Sequence, residues 1–259
     1  MSAVIVANGA LVEVKCPSRL SRSTEQQVSF SGTLGGKRKG FVRPGGRREW
    51  SIDVSLATPV EFGTIEAIAG AGMQVGWYGP DAAIGNLLSP QTAAFLPLPA
   101  NATDAGLTVL PHGQVARSVL HTGSYITLGP RSSPELVPVR DGQPLAVGAW
   151  GMDGLRITGV WYDASGVRLG TVGTDTWTFS GWQWREQALA PPPGAAGFEF
   201  RLLGGLNYAA PSASWGLRAK QEPGLGCPAA VLHSPSVSPL ALREQANLSQ
   251  LSYTVTEVG

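Results

Sequence analysis

The chain has 259 residues, long enough for one large domain or two of ordinary size. Hydrophobic residues make up 43%, which supports a buried core and excludes a disordered chain, while 34 glycines and 20 prolines spread without a collagen period favour a turn-rich all-β protein. A net charge of +1 excludes attraction of the whole molecule to nucleic acid or an anionic membrane, but residues 1–50 carry nine Lys/Arg against three Asp/Glu and the remainder ten against fifteen.

The opening residues give short alternating runs, "ALVEVKC" with Leu11, Val12 and Val14, then "QVSFSGTL" with Val28 and Phe30. "GGKRKGFVRPGGRR" follows, holding Lys37, Arg38, Lys39, Arg43, Arg47 and Arg48. One reading is a solvated loop; the other is an electrostatic interface with an acidic neighbour or a phosphate backbone. In "REWSIDVSL", Trp50, Ile52, Val54 and Leu56 share one face and Ser51, Asp53 and Ser55 the other, the period of a half-buried antiparallel strand.

A helix is predicted next. Thr58 can cap free N–H groups, Pro59 loses no needed donor at the first helical position, and Glu61 completes a capping box. Phe62, Ile65 and either Ile68 or Ala69 recur at helical spacing, and Gly70 or Gly72 ends the segment. About three turns are too short to stand alone, so Phe62 and Ile65 are expected to pack on the sheet carrying Trp50 and Ile52, closing a small barrel or sandwich.

After "GWYGPDAAIGNLLSP", residues 91–113 are Ala/Pro/Thr-rich and weakly patterned. From about Tyr125 short strands return at even spacing, most clearly in "LRITGVWYDASGVRLGT", where Asp163 to Gly166 supply a turn. That pattern indicates a β-sandwich. The ending "LSQLSYTVTEVG" alternates Leu251, Tyr253 and Val255 and is expected to return to the first sheet. The predicted organisation is therefore a discontinuous domain, 1–90 plus 232–259, with an inserted sandwich at 91–231.

Signatures for chemistry are missing. His112, His121 and His233 are scattered, "GTLGGK" lacks phosphate-loop spacing, and "GAGMQVG" follows a helix rather than a strand. Seven carboxylates (Glu135, Asp141, Asp153, Asp163, Asp175, Glu186 and Glu199) fall mostly at turns rather than as a glycosidase pair. Cys16 and Cys227 are too few for a disulfide framework and have no metal-ligand spacing. The reading is a non-enzyme without cofactor or metal. The N-terminus shows no basic leader or cleavage pattern, and no run reaches the ~18 apolar residues of a membrane span, so a soluble protein made in the cytosol is expected.

Tryptophan is more informative. Six of eight lie in the sandwich: Trp150, Trp161, Trp177, Trp182, Trp184 and Trp215. Trp182 and Trp184 share a face, with Gln183 and Arg185 opposite. These indoles fill the core, or one or two stack on a sugar ring; Tyr162 and Trp182 are the candidate glycan contacts.

Residues 47–90, "RREWSIDVSLATPVEFGTIEAIAGAG…VGWYGPDAAIGNLLSP", resemble the N-terminal part of minor tail proteins of long-tailed actinobacterial phages, of the distal tail protein type. The match rests on Trp50, Pro59, Ile65, Ile68, Trp77, Pro80, Asn86, Leu87, Leu88 and Pro90, and "YTVTEVG" resembles the closing strand of such proteins. The middle of the chain is similar to carbohydrate-binding jelly-roll modules inserted in many tail proteins. The resemblance implies a structural virion protein assembled in the host cytoplasm, with Cys16 and Cys227 as thiols. It would form a ring, commonly a hexamer, between the tail tube protein and the tail hub, tip or baseplate proteins. The alternative it implies is a receptor-binding tail protein whose sandwich grips host cell-wall glycan.

Overall fold

The computed structural model describes residues 3–7, 10–15, 17–25, 28–32, 38–42, 47–96, 98–129, 134–222, 224–243 and 246–258. The first elements are β1 (Ala3–Ala7), β2 (Ala10–Val14), β3 (Arg19–Glu25), β4 (Val28–Gly32), β5 (Arg38–Val42), β6 (Arg47–Ala57), α1 (Pro59–Gly70) and β7 (Gln74–Tyr78). Two short helices, α2 (Pro80–Ile84) and α3 (Pro90–Ala93), precede β8 (Ala102–Val109), β9 (Val115–His121), β10 (Ile126–Thr127) and β11 (Leu136–Pro138). Then come β12 (Leu145–Met152), β13 (Arg156–Tyr162), β14 (Arg168–Gly173), β15 (Trp182–Leu189), β16 (Gly197–Leu203) and β17 (Asn207–Trp215). A long hairpin, β18 (Cys227–Arg243) and β19 (Ala246–Glu257), ends the chain. The protein is mainly β, with antiparallel sheets and, among the described residues, no sheet closed into a barrel. None of the described helices is long and apolar enough to cross a membrane.

The chain divides into two compact units, Val14–Val75 with Ala229–Gly259 and Ala3–Glu13 with Gly76–Pro228. The 90/91 boundary read from composition therefore falls inside the second unit.

In the first unit the strands run β18-β19-β6-β3. The closing strand does return: Tyr253 stands opposite Ile52 and Val255 opposite Trp50. Trp50, Ile52 and Val54 from β6, with Leu251, Tyr253 and Val255 from β19, make one buried apolar face. At its end Arg48 lies on the same alternation; its Nε and Nη2 donate to the two Glu257 carboxylate oxygens at 2.9 and 2.8 Å, and its guanidinium sits 5.0 Å over the Trp50 ring. Strands β4 and β5 pair in a separate two-stranded sheet, with Gly32 opposite Arg38 and Ser31 opposite Lys39.

Helix α1 packs against β19, burying Ile65 and Ile68. Phe62, expected on the packing ridge, is only half-buried, so the ridge runs along Ile65–Ile68. The capping box is complete: the Glu61 amide donates to Thr58 Oγ1 at 3.3 Å, and the Thr58 amide donates to Glu61 Oε2 at 2.7 Å. Lys15 Nζ adds an ion pair to Glu61 at 3.2 Å. Desolvation pushes the Glu61 carboxyl upward, but bonds from Thr58 and Lys15 outweigh it and hold the group below the ordinary carboxylate range.

In the second unit two antiparallel sheets face each other, β15-β12-β17-β9-β8 against β10-β16-β13-β14, with β11 also pairing β16. Between them Leu145, Val147, Val119, Tyr208 and Leu189 from one sheet meet Ile157, Trp161, Phe198, Phe200 and Leu202 from the other. Strand β1 pairs β7, and Val4 and Tyr78 join this core, as do Ala82, Leu87, Leu88 and Phe95 from the 79–95 segment.

The "NLLSP" sequence has a physical explanation here. Register shifts between β12 and β17, with Gly148 opposite Ser212 and Trp150 opposite Ala209, so Ala210 and Pro211 bulge. Strand β9 pairs only Asn207–Ala209, and beyond the bulge its place is taken by Asn86 and Leu87. Fully buried Asn86 accepts from the Ala213 and Leu88 amides at 3.1 Å each through Oδ1. Its Nδ2 donates to the carbonyls of Pro211 and Glu222 at 3.1 and 3.0 Å. Leu87 N–H donates to Ala213 O at 2.7 Å, and Ser89 caps α3. The buried Glu135 carboxylate accepts from the Ser89 amide at 2.7 Å and from the hydroxyls of Ser89 and Thr92 at 2.6 and 2.5 Å.

Three stability outcomes are expected. Thr58→Ala should cost about 1 kcal/mol in urea unfolding, the usual value of an N-cap. Because Glu61 is lower in the folded state, its contribution is present above the unfolded carboxylate range and is lost as pH falls through the lowered value. An acid titration of Glu61→Gln should lack that step. Asn86→Asp keeps the shape but turns an acceptor toward two carbonyls. It should destabilise the second unit by about 3 kcal/mol or more, read as a lower urea midpoint at unchanged slope.

Candidate functional site

Among the described residues no group of three or more His, Cys, Asp or Glu side chains is arranged to hold a metal ion. Five of the seven carboxylates of the sandwich are occupied structurally. Besides Glu135, Asp153 Oδ1 accepts from the Gly181 amide, and Asp163 Oδ1 ties its own turn through Ser165 and Val167. Glu186 holds Arg218 Nη1 at 2.6 Å and the Ala219 amide at 3.0 Å. Glu199 accepts from Tyr162 and Arg201. A mostly apolar recess of about 130 Å³ lies beside the Asp163 turn, with Val6, Tyr78, Leu136 and Pro138 in its wall.

The feature that stands out is the face of the β15-β12-β17-β9-β8 sheet turned away from the core. On β12, Leu145, Val147 and Ala149 point inward, so Trp150 and Met152 point out. Their partners across the ladder are Trp184 and Trp182 on β15, and Ala209 and Asn207 on β17. Trp150, Ala209 and Leu110 form a small second core, with Trp182, Trp184, Ala116 and Ala210 half-buried against it. Trp150 and Trp184 are 6.2 Å apart and tilted by 57°. The turn after β8 brings His112 flat onto Trp150, at 5.2 Å and 19° between planes. Its Nε2 contacts Gln114 Oε1 at 2.9 Å.

Gly148 makes this arrangement possible. A Cβ there would lie 2.5 Å from the Trp184 ring, so the indole rests on bare backbone. The bulge at Ala210 sets which β17 side chains face the same way, bringing Ala209 and Ser212 out together.

The sequence placed glycan contact at Tyr162 and Trp182, and the structure separates them. Trp182 is on the aromatic face. Tyr162 is on the other sheet, its hydroxyl donating to Glu199 Oε2 at 2.9 Å, while Arg201 lies 4.4 Å over the Tyr125 ring. Burial and the Glu199 bond both raise the Tyr162 hydroxyl pKa. One ligand cannot touch both candidates. Trp161 and Trp215 belong to the inner core, and Trp215 donates to Pro138 O at 2.9 Å. The residues that sequence reasoning missed are His112 and Asn207. Trp150 and Trp184 were legible only as two of six indoles.

Among the basic residues, Arg48 turns inward to Glu257 and so is not a surface charge for an electrostatic interface. Arg47 is exposed. Arg38 and Lys39 lie on β5, and Lys37 and Arg43 fall outside the described residues, as does Cys16; Cys227 is buried.

No protein-family model matches the chain, and no curated protein matches it. Among solved structures it is similar to the enzymatically active domain of tailspike protein 4 of bacteriophage CBA120, with 14% identity and a TM-score of 0.35. That match covers 50% of this chain and 21% of the tailspike chain, about a fifth of its length.

Gly148→Ala should force Trp184 off the sheet. The expected outcome is a changed near-UV circular dichroism spectrum and a red-shifted tryptophan emission, with the far-UV spectrum retained.

Proposed function

We propose that this is a structural protein of a phage tail, forming a ring at the distal end of the tail tube and joining it to the tail tip or baseplate. The role is assembly, not catalysis. The observation that carries the reading is the pairing of β19 with β6, which brings the two tail-like stretches of sequence, the β6–α1 segment and the closing strand, into one sheet. The sandwich is inserted between them. The reading is also supported by β3, which ends that sheet with a strand on one side only among the described residues. Its sequence, Arg19–Glu25, has no proline or bulge to block a further strand, and Arg19, Ser21, Arg22, Ser23 and Thr24 are exposed. A sheet edge of this kind suits repeated subunit contacts around a closed ring. The capped helix closes the apolar face without using an edge. Copies of the chain would be each other's first partners, with the tube protein and the hub or tip proteins above and below, in a virion assembled in the host cytoplasm.

Sedimentation velocity of the purified chain, together with electron microscopy of intact tail tips, tests this. A closed ring in solution or at the tube end is the expected result. A chain that stays monomeric at high concentration and is missing from the tail tip would overturn it.

A further inference from the structure

We propose that the free edge of β8 is a self-association surface, on which residues 106–109 of one copy pair antiparallel with the same segment of a second copy about a two-fold axis at Thr108. The inference does not rest on ring assembly: it uses the outermost strand of the sandwich unit rather than β3.

Three observations carry it. The first is an apolar strip without a cover. On β9 the alternation that buries Val119 in the core continues through Arg117 to Val115, and on β8 Leu107 and Val109 stand opposite Arg117 and Val115. All of these side chains face the same way, yet Leu107, Val109 and Val115 are 78%, 66% and 59% exposed. The charge among them is already balanced, since Arg117 is paired with Asp104.

The second is the main chain. Strand β8 ends its sheet, and among the described residues only β9 pairs with it. At the turn, Leu110 N–H donates to Gln114 O at 2.8 Å, which makes those two a hydrogen-bonded pair. By alternation Thr108 is hydrogen-bonded to Ala116, and the amides and carbonyls of Leu107 and Val109 point to the free edge. Edge strands are commonly blocked by a charge, a proline or a bulge. Residues 106–109 carry none of these, and the blocks stand just outside: Ala105 is the bulged residue and Pro111 has no N–H.

The third is the symmetry of that window. Ala105 and Pro111 are equally far from Thr108 in sequence. A two-fold axis at Thr108 therefore sets the two blocked positions against each other and places Leu107 opposite Val109 of the second copy. Those are the residues with outward main-chain groups, so both pairs close, with about four hydrogen bonds in all. The two apolar strips merge into one. A strand from a different protein would gain nothing from this symmetry, whereas an isologous contact requires it.

The surface is small, which makes the contact weak and transient, so the test is covalent capture. Across the axis Thr108 meets Thr108 of the second copy in a non-hydrogen-bonded pair, with Cα atoms about 4.5 Å apart, within disulfide reach. Under mild oxidation of the full chain, Thr108→Cys should give a disulfide-linked dimer on a non-reducing gel. The wild type and Thr103→Cys, an exposed position on the same strand beyond the bulge, should stay monomeric. Adding Leu107→Lys to Thr108→Cys should cut the dimer roughly tenfold. Leu107 is exposed, and unchanged far-UV spectra guard against a folding defect. A Thr108→Cys chain that does not cross-link, or does so no more than Thr103→Cys, would overturn the proposal, as would a dimer that Leu107→Lys leaves undiminished. The β3 edge is untouched in every variant, so the result is separable from ring formation.

Discussion

A β-bulge in the middle of a buried sheet creates a problem that the second unit must solve. Ala210 and Pro211 interrupt the ladder of β17, and β9 stops pairing at the same point. Buried backbone groups left there would each cost about 1–3 kcal/mol. Asn86 meets them with one amide side chain, two bonds accepted and two donated, and Leu87 continues as a surrogate strand. The 79–95 segment is anchored to the sandwich by this tie and by Leu87, Leu88 and Phe95 beneath it. The bulge also decides which side chains of β17 stand beside Trp150. The aromatic face therefore depends on the same backbone irregularity that Asn86 stabilises.

The first unit answers a different constraint. The apolar face of β6 and β19 must be covered, and a short helix is marginal alone. Thr58, Glu61 and Lys15 fix where α1 begins, and burial of Ile65 and Ile68 then holds it on β19. At the far end of the apolar face, the paired Arg48 and Glu257 close it. Breaking either partner would strand a charge in a site where both side chains are mostly buried. The cation over Trp50 explains why an arginine suits the position, since its flat guanidinium can stack and bond two oxygens at once.

The two faces of the β12 sheet show how one strand serves two purposes. Alternation sends Leu145, Val147 and Ala149 to the packed interior and Trp150 and Met152 to the exterior. An interior indole such as Trp161 gains from burial alone, lying 4.4 Å from Phe198. The exterior indoles pack in a small second core with Leu110 and Ala209, and His112 stacks on Trp150.

Much of the architecture was legible in the sequence because it depends on local rules. Period-2 alternation gave the strand at Trp50–Val54 and the closing strand at Leu251–Val255, and Thr58-Pro59-Val60-Glu61 gave the helix start, since caps and alternation are decided within a few residues. Even the return of the last strand could be inferred, from a first domain short of strands. Tertiary structure alone decided the rest. Nothing local in Arg48 distinguishes an inward ion pair from a surface charge, because Glu257 lies 209 residues away. Nothing local in "NLLSP" shows that Asn86 serves β17, 127 residues on at Ala213. The choice among six indoles likewise required knowing which strands share a sheet and which way each pleat faces. Sequence fixes short-range periodicity and backbone stops; the pairing of distant strands determines which polar groups are buried and which aromatic rings are left outside.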